Sequence, residues 1–431
     1  MHRTMAIVLA GGEGRRLQSL TRERSKPAVY FGGRYRLIDF VLSNLVNSGI
    51  TSIKVVTQYR STSLVQHLAR AWPTMSNAFD HSIDTVPAAM NLGPSWFRGT
   101  ADAIWLNLDV LREQRPENLL IFGSDHVYKM DVSRMLDAHR DTGADLTVAV
   151  LPVPRSEAHA FGCVAVDETG RITDFLEKPK DPPAMPGHPD LTLISMGNYV
   201  FRSRALLEEL RRCMNQQASS YDFGKDILAT AHERMEVRAY DFKTHLCPGE
   251  DEHARGYWRD VGTIDAYYEA SMDLVSVHPH LDLYNEQWPI RGAQPLCGPA
   301  KFVFSDEGKG RVGTARDSIV GAGAIISGAS LSRSVCFHQV HMHSYSRVED
   351  SVLFPHVDVG RGARLKRCII DKGVHIPPGT VIGEDPAADR ARFGVSDGGI
   401  VVVSRADFGQ YDEYDVSWPN SALQSAGIAA E

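Results

Sequence analysis

Apolar runs alternate with helix-like patterns along the first 275 residues of this chain. Compact apolar runs predict strands, and apolar spacings of three and four predict helices; the strands fall at 6–9, 52–58, 118–122 and 145–150, and the helices at 62–72, 100–114 and 131–143. Residues 163–178 add a β-hairpin that turns at Glu168-Thr169-Gly170. The alternation predicts an α/β fold with a Rossmann-like, mostly parallel sheet covered by helices on both faces.

Beyond residue 312 the helical pattern is replaced by a repeat whose segments begin at Ser318, Ser334, Ser351 and Cys368. Apolar residues recur after each start (Ile319, Val335, Val352, Ile369), near the middle (Ile325, Val340, Val357, Val374) and near the end (Leu331, Val348, Leu365, Val381). Apolar positions about six residues apart are typical of a parallel β-helix; a β-sandwich with accidental spacing is the alternative. We therefore expect an α/β domain over 1–275, a proline-containing linker over 276–312 and a β-helix domain with a C-terminal tail over 313–431.

Charge and cysteine content narrow the class of protein. The formal net charge is −7 without a basic tail, which argues against nucleic acid as a partner, yet residues 1–36 carry eight basic side chains against two acidic ones. Such a local excess suggests a site for small anions. The six cysteines form no CxxC pair, and no apolar run approaches the roughly 18 residues of a membrane span. We expect a soluble cytoplasmic protein without a signal peptide or a membrane partner.

The stretch LAGGEGRRL at 9–17 places three glycines directly behind the first predicted strand. It fits neither a dinucleotide fingerprint nor a Walker loop, because Leu17 stands where a third glycine is needed and no Gly-Lys-Ser/Thr follows. Backbone N–H groups at Gly11 and Gly12 could still approach a polyphosphate, with added charge from Arg16 and from Lys26 of RSKPAV. The alternative is a turn that only redirects the chain.

Two aspartates stand where a parallel sheet binds ligands. Asp125, in FGSDH, follows a predicted strand, and Asp260, in WRDVGT, precedes a helix expected to start at Thr263. Together they could hold Mg²⁺, which prefers carboxylate, water and phosphate oxygens. Taken singly, each aspartate could equally be a turn or cap residue. Sequence alone does not show that the two meet.

The hairpin closes on FLEKP, where Glu177 and Lys178 could bind a sugar hydroxyl and a phosphate, or form only an exposed pair. Neither a Ser-His-Asp nor a Cys-His arrangement stands out, and we expect His126 to be structural or solvent-facing. A phosphate oxygen that attacks a polyphosphate needs no general base. It needs cations that bring two anions into line.

Ten motifs occur in an order that resembles the bacterial ADP-glucose pyrophosphorylase family of sugar nucleotidyltransferases: LAGGEGRRL, RSKPAVYFGG, LSNLVNSGI, TQY, WFRGTADA, SDHVYKMD, FLEKP, SMGNYVF, DFGKDI and YWRDVGT. The resemblance covers nearly the whole chain and implies a left-handed β-helix as the C-terminal domain. It implies adenylyl transfer from ATP to α-D-glucose 1-phosphate, giving ADP-glucose and pyrophosphate, the committed step of bacterial glycogen synthesis.

By motif match, the resemblance assigns nucleotide binding to Gly11, Gly12, Arg16, Lys26 and Gln58, and sugar-phosphate binding to Phe97, Gly162, Glu177, Lys178 and Ser195. Asp125 and Asp260 would hold Mg²⁺, and Arg16, Lys26 and Asp125 would be the catalytic residues. The family is typically a homotetramer with anionic allosteric effectors bound between its domains. For these effectors the matching residues are Arg24, Arg36, Arg367 and Arg405.

Several positions depart from the family pattern, among them Glu113 and Gly409, which are arginine in some relatives. Ser124 replaces a glycine, and Phe97 stands where relatives often have tyrosine, so a hydroxyl contact is lost. Glu23 stands where relatives activated by fructose 1,6-bisphosphate carry a basic residue, and its carboxylate would repel the effector's phosphate. Two alternatives remain: a relative that makes UDP- or dTDP-glucose, and a regulatory subunit that has lost turnover.

Overall fold

The computed structural model describes residues 4–72, 82–87, 97–108, 114–216 and 219–410. The chain divides into two compact units, 1–296 and 297–431. The segment 276–312 spans this division, and its first part contributes the buried side chains of Leu281, Trp288 and Ile290 to the first unit. That 276–312 acts as a linker stays a prediction.

A nine-stranded sheet forms the centre of the first unit. The strands of the unit are β1 (Thr4–Ala10), β2 (Tyr30–Phe31), β3 (Tyr35–Arg36), β4 (Ser52–Thr57), β5 (Ser82–Pro87), β6 (Asn118–Gly123), β7 (His126–Tyr128), β8 (Leu146–Pro154), β9 (Gly162–Val166), β10 (Ile172–Glu177), β11 (Leu191–Arg202), β12 (Val237–Asp241) and β13 (Trp258–Asp260). The order in the sheet is β10-β9-β11-β6-β1-β4-β5, and β8 pairs with β11 and β12. Two short strand pairs, β2 with β3 and β7 with β13, lie outside that sheet. β1 runs parallel to both β4 and β6, which places the carboxyl ends of these strands side by side. The antiparallel hairpin predicted at 163–178 is confirmed.

Both faces of β1 are buried, which explains its continuous apolar run. Ala6 and Val8 pack into one core cluster, whereas Met5 and Ile7 pack into another, because successive strand residues point to opposite faces. A strand covered by helices on both sides has no polar face, so the sequence shows an unbroken apolar run instead of an alternating pattern.

The helices of the first unit are α1 (Leu37–Asn47), α2 (Thr62–Ala71), α3 (Thr100–Trp105), α4 (Val132–Thr142), α5 (Ser203–Asn215), α6 (Ala229–Ala231) and α7 (Ile264–Asp273), with a π-helical turn at Phe223–Leu228 and 3₁₀ turns at Arg15–Thr21, Lys26–Ala28, Arg155–Ala160, Phe242–Thr244 and Glu252–Ala254. Side-chain caps define two of the predicted starts, since Asp131 accepts from the Ser133 amide and Thr263 from the Ala266 amide. The predicted helix 100–114 is helical over α3, and its residues 109–113 lie outside the described residues.

The second unit is a parallel β-helix with three stacked sheets, as the repeat predicts. The first contains Lys301–Val303, Ile325–Ser327, His341–Met342, Asp358–Val359 and His375–Ile376; the second Thr314–Arg316, Ser330–Ser332, Arg347–Glu349, Arg364–Lys366 and Val381–Ile382; the third Ile319–Val320, Val335–Cys336, Val352–Leu353, Cys368–Ile370, Val401–Val403 and Gly394–Val395. A small hairpin (Ser305–Asp306 with Arg311–Val312), 3₁₀ turns at Glu307–Lys309 and Arg405–Phe408 and the helix α8 (Pro386–Arg392) complete it.

Two of the matched apolar positions in the repeat were wrong by one residue. Ile325 pairs with His341 and is exposed, and the fully buried place opposite Val340 belongs to Ala324. Likewise Ile382, not Val381, pairs with Leu365 and is buried. A shift of one residue moves a strand side chain from the core to the opposite face, so apolar character alone was a poor guide at these positions.

Over the part of the chain that the structure describes, none of the helices has the length and apolar character needed to cross a membrane.

Candidate active site

The carboxyl ends of β1 and β6 bring the glycine-rich loop and the SDH motif together. The buried Ser124 hydroxyl donates a hydrogen bond to the Leu9 carbonyl at 2.6 Å, so the residue that departs from the family pattern ties the two strand ends. β7 and β13 pair antiparallel, with Asp260 opposite His126. Pairing of these two short strands therefore places Asp260 beside Asp125.

Lys26 joins the two aspartates at the centre of the site. Its Nζ lies 2.9 Å from Asp125 Oδ2 and 2.8 Å from Asp260 Oδ1, and the lysine is 5% exposed. The 3₁₀ turn Lys26–Ala28 and a hydrogen bond from the Lys26 amide to the Gly12 carbonyl hold the residue against the loop. Burial opposes the charged form, but the attraction of the two carboxylates prevails and raises the pKa of Lys26.

The same contacts keep Asp125 ionised. Burial alone would raise its pKa, but His126 and Lys26 beside the carboxylate lower the pKa of Asp125 to about 2. Burial lowers the pKa of His126 despite the neighbouring Asp125. The site therefore presents two carboxylates and one ammonium group at neutral pH, an arrangement suited to a divalent cation and a polyphosphate.

The glycine-rich loop is shaped by its contact with Lys26. Gly14 has φ +69°, and a Cβ there would lie 2.8 Å from the Lys26 Cβ, so a side chain at this position would collide with the lysine. A Cβ at Gly12 would meet nothing within 4 Å, which leaves the loop open on that side. Arg16 is mostly exposed and reaches towards the site, with Nη2 3.7 Å from Asp260 Oδ2.

Gln58 and Phe97 lie on the far side of the loop. A Cβ at Gly11 would be 3.6 Å from the Gln58 Cβ, and Gln58 Nε2 donates to the Phe97 carbonyl at 3.4 Å. Gly11, Gln58 and Phe97 therefore form one contiguous group at the ends of β1 and β4. The family resemblance assigned Phe97 to the sugar phosphate. In the structure, its backbone carbonyl contacts Gln58, which the resemblance assigned to the nucleotide.

The predicted sugar-phosphate residues converge on the antiparallel part of the sheet. Gly162 pairs with Glu177 across β9 and β10, and a Cβ at Gly162 would lie 3.2 Å from Glu177 Oε2. Ser195, on β11, hydrogen bonds to the Tyr199 hydroxyl at 3.1 Å. Burial, with the nearby Glu177 carboxylate, raises the pKa of Tyr199 to about 12 and keeps it a neutral donor.

Lys178 stands apart as an exposed cation at the end of β10. It has φ +51°, its side chain is 62% exposed, and Nζ lies 3.4 Å from Glu177 Oε1. The pair is therefore an exposed one in this structure, as the simpler interpretation of FLEKP required. The role of Lys178 as a phosphate ligand stays a prediction.

His126, which the sequence led us to expect in a structural or solvent-facing role, packs against Trp258 beside Asp125. Its ring lies 4.8 Å from the Trp258 ring, its Nε2 lies 3.7 Å from Asp125 Oδ1, and a Cβ at Gly197 would be 3.4 Å from its Cε1. Its buried Nδ1 has no hydrogen-bond partner among the described residues. His126 thus connects the carboxylate pair with the Ser195 strand. Its position directly after Asp125 was the one available signal.

The predicted effector arginines of the first unit surround one aromatic ring. The guanidinium groups of Arg24 and Arg36 lie 5.8 and 4.8 Å from the Tyr30 ring centroid. Arg24 is buried and donates to the Leu20 carbonyl, whereas Arg36 donates to the Ser63 hydroxyl at 2.8 Å. Burial lowers the pKa of Arg36, a cost that a bound anion would offset.

The other two predicted effector residues belong to the second unit. Arg367 Nη2 donates to the Gly398 carbonyl at 3.1 Å, and Arg405 begins the 3₁₀ turn Arg405–Phe408. Their role as effector ligands stays a prediction.

Comparisons with known proteins agree with this architecture. A family model for nucleotidyl transferases matches residues 5–277, and one for the C-terminal hexapeptide region of GlmU-like proteins matches residues 298–403. The hexapeptide match agrees with the left-handed class expected for the β-helix.

Curated relatives named glucose-1-phosphate adenylyltransferase align along almost the whole chain. The protein of Anaeromyxobacter sp. (strain Fw109-5) is 51% identical over 94% of this chain and 99% of its own length. That of Dechloromonas aromatica (strain RCB) is 51% identical over 94% and 92%, and that of Deinococcus radiodurans is 48% identical over 94% and 98%. With its fold and its loop, lysine and carboxylate site, the chain belongs to the glucose-1-phosphate adenylyltransferase family of nucleotidyl transferases.

Proposed function

We propose that this protein transfers the adenylyl group of ATP to α-D-glucose 1-phosphate, which yields ADP-glucose and pyrophosphate. The observation that carries the proposal is the convergence of Lys26, Asp125 and Asp260 beside the glycine-rich loop. The two carboxylates can hold a divalent cation, which together with Lys26 would offset the charge of a triphosphate, and the group around Glu177 can receive a sugar phosphate. The relatives named glucose-1-phosphate adenylyltransferase support the same reaction.

The reaction is an in-line displacement between two anions. A phosphate oxygen of glucose 1-phosphate forms a bond to the α-phosphorus of ATP, the bond from that phosphorus to the β-phosphate oxygen breaks, and pyrophosphate leaves with the electron pair. The nucleophile is already an anion, so no general base is required. The protein supplies charge neutralisation and alignment, and Lys26 and Arg16 serve those purposes.

The two carboxylates fit a hard divalent cation, which we propose to be Mg²⁺. Their oxygens both lie within hydrogen-bonding distance of one ammonium nitrogen, and carboxylate oxygens are the protein ligands that Mg²⁺ prefers. Asp125 and Asp260 would hold the ion, and when bound it supplies positive charge to the triphosphate and the leaving pyrophosphate. Asp125 is ready for this role because its pKa of about 2 keeps it ionised.

The binding residues divide by location. Backbone groups at Gly11 and Gly12, with Arg16, Lys26 and Gln58, bind ATP. Glucose 1-phosphate is bound by Phe97, Gly162, Glu177, Lys178 and Ser195, and its phosphate meets Lys178. His126 lies between the two groups and positions the Asp125 carboxylate.

We also propose the biological setting of a cytoplasmic homotetramer that commits glucose to glycogen and responds to anionic metabolites. Arg24 and Arg36 in the first unit and Arg367 and Arg405 in the second unit are the proposed effector ligands. Two cationic groups around Tyr30, one of them with a lowered pKa, support an anion site in the first unit.

A pyrophosphate-release assay tests the substrate assignment. With glucose 1-phosphate as acceptor and Mg²⁺ present, we expect ATP to give the highest kcat/KM among the nucleoside triphosphates. Equal or better rates with UTP or dTTP would contradict the proposal in favour of another sugar nucleotidyltransferase. An absence of turnover with every nucleotide would favour the inactive regulatory subunit.

Asp125→Asn tests the site within the same assay. We expect it to lose nearly all turnover while circular dichroism and thermal unfolding stay close to those of the parent. Asp137→Asn, at an exposed aspartate on α4, is the matched control and should keep full activity. A mild effect of Asp125→Asn would remove Asp125 from the metal site.

A further inference from the structure

A second cluster of potential metal ligands lies on the β-helix and contains none of the residues assigned above. His341 and His343 flank the fully buried Met342, so both imidazoles project from the same outer face of the first sheet. Their ring centroids are 4.0 Å apart. Asp358 stands on the next coil, where it pairs in register with His341.

The three side chains already face one another. His343 Nε2 lies 3.1 Å from Asp358 Oδ1, and one ligand atom from each of His341, His343 and Asp358 lies within 4.8 Å of the other two. All three residues are half-buried, and the His343 and Asp358 side chains stay 41% and 33% exposed, which leaves an ion a path to the cluster. Coil stacking in a β-helix fixes the separation of residues on adjacent coils, so the arrangement is built into the fold.

We propose that His341, His343 and Asp358 form a binding site for a divalent transition-metal ion, with Zn²⁺ as the ion best matched to the ligand set. Two imidazole nitrogens and one carboxylate oxygen, with a fourth position left to water, are a recurrent zinc ligand set. Mg²⁺ is poorly suited, because it prefers oxygen ligands, so this cluster and the Asp125–Asp260 pair differ in their metal preference. A metal here would bind two neighbouring coils to each other.

The site is tested on the full-length protein, freed of metal with a chelator and titrated with Zn²⁺ against a chromophoric competitor. An excess of Mg²⁺ is kept present so that the carboxylate pair of the active site is occupied by the harder ion. We expect one equivalent of Zn²⁺ per chain. His343→Gln and His341→Gln should each weaken zinc binding about 100-fold or more, since loss of a direct ligand costs at least as much as loss of the groups that orient it.

His356→Asn is the matched control, because His356 lies on the same β-helix and outside the cluster. It should bind zinc like the parent, and all of the variants should keep the pyrophosphate-release rate of the parent without zinc. Asp358→Asn repeats the test without altering either histidine, should a histidine variant fail to fold.

Two further measurements decide the matter. Co²⁺ in place of Zn²⁺ should give the visible absorption of a four-coordinate nitrogen and oxygen site in the parent and not in His343→Gln. Zn²⁺ should raise the thermal unfolding midpoint of the parent and leave that of His343→Gln unchanged, because a ligand that binds only the folded state stabilises it. Absence of saturable zinc binding by the parent under excess Mg²⁺, or zinc binding by His341→Gln and His343→Gln as tight as that of the parent, would overturn the proposal.

Discussion

The ammonium group of Lys26 lies 2.8 Å from the carboxylate of Asp260, which follows it by 234 residues in the chain. The same nitrogen contacts Asp125, so one cation holds two carboxylates together in the free protein. A buried cation between two anions is both a structural and a functional element. Without the lysine, the two negatively charged carboxylates would face each other with no ammonium group between them, and their repulsion should lower the stability of the fold.

Lys26→Met should destabilise the fold in Mg²⁺-free buffer. We expect the free energy of unfolding to fall by up to about 3 kcal/mol. This is the lower end of the range for removing one partner of a buried ion pair, because Asp125 is about one third exposed to solvent. Mg²⁺ should restore part of the loss by binding the two freed carboxylates. Urea unfolding with and without Mg²⁺ measures both effects.

Lys54→Met is the matched control for this variant, because Lys54 makes a single ion pair with the more exposed Asp84. It should cost no more than about 1 kcal/mol and show no added response to Mg²⁺. A Lys26→Met protein as stable as the parent, or an equal Mg²⁺ effect on both proteins, would contradict a role for Lys26 in holding the carboxylates.

The depressed pKa of Asp125 predicts a specific acid sensitivity. The folded-state pKa is about 2 against an ordinary value of 3.8, so the ionised carboxylate stabilises the fold above about pH 4. That contribution is lost as the pH falls from about 4 to 2, and partial exposure limits it to about 2 kcal/mol. Urea unfolding across this pH range should show a steeper loss for the parent than for Asp125→Asn. Parallel curves for the two proteins would rule the contribution out.

Lys178→Ala should separate the two substrates kinetically. Removal of one charge-assisted contact to the sugar phosphate should raise the KM for glucose 1-phosphate about tenfold or more and change that for ATP much less. Steady-state kinetics with each substrate varied in turn provides the measurement, and Lys180→Ala, at an exposed neighbouring lysine, is the control. Equal changes in both KM values would contradict the assignment of Lys178.

Gly14→Ala should lose both stability and turnover. The left-handed backbone alone should cost about 1–2 kcal/mol, and the new Cβ would meet the Lys26 Cβ at 2.8 Å and displace the lysine. Gly143→Ala is a matched control, because Gly143 has φ +64° with no atom within 4 Å of an added Cβ. Gly143→Ala should lose stability by the backbone contribution alone and keep the kcat of the parent. Similar kcat values for the two variants would show that the loop does not position Lys26.

Glu23 should prevent activation by fructose 1,6-bisphosphate. Glu23 is exposed, and its negative charge opposes binding of an anionic effector. We expect no activation of the parent by this compound and a gain of activation in Glu23→Arg, with Glu157→Arg as a distant control. Activity with and without fructose 1,6-bisphosphate, fructose 6-phosphate, pyruvate, AMP and phosphate is the measurement. Strong activation of the unaltered protein by fructose 1,6-bisphosphate would disprove this interpretation of Glu23.

Local pattern was sufficient wherever a property depends on neighbouring residues in the chain. The starts of α4 and α7 could be predicted because Asp131 and Thr263 are caps that act within three residues. The hairpin at 163–178 and the coil period of the β-helix likewise follow from short-range spacing. The motif set was also specific enough to indicate the family.

Contacts between distant segments could not be derived in this way. Two separated aspartates are a metal pair only if strand pairing brings them together, and the antiparallel β7–β13 pair performs that step. The burial of Arg24 and the packing of the His126 ring on Trp258 are likewise contacts between segments that are distant in the chain.

The sequence by itself determined the types of element, their order and the chemical groups available, because periodicity, caps and motifs are encoded over a few residues. The tertiary structure alone decided which groups meet. Register is the physical reason: one residue of offset separates the buried Ala324 from the exposed Ile325, and it placed His341 opposite Asp358. The same kind of pairing set Lys26 between Asp125 and Asp260.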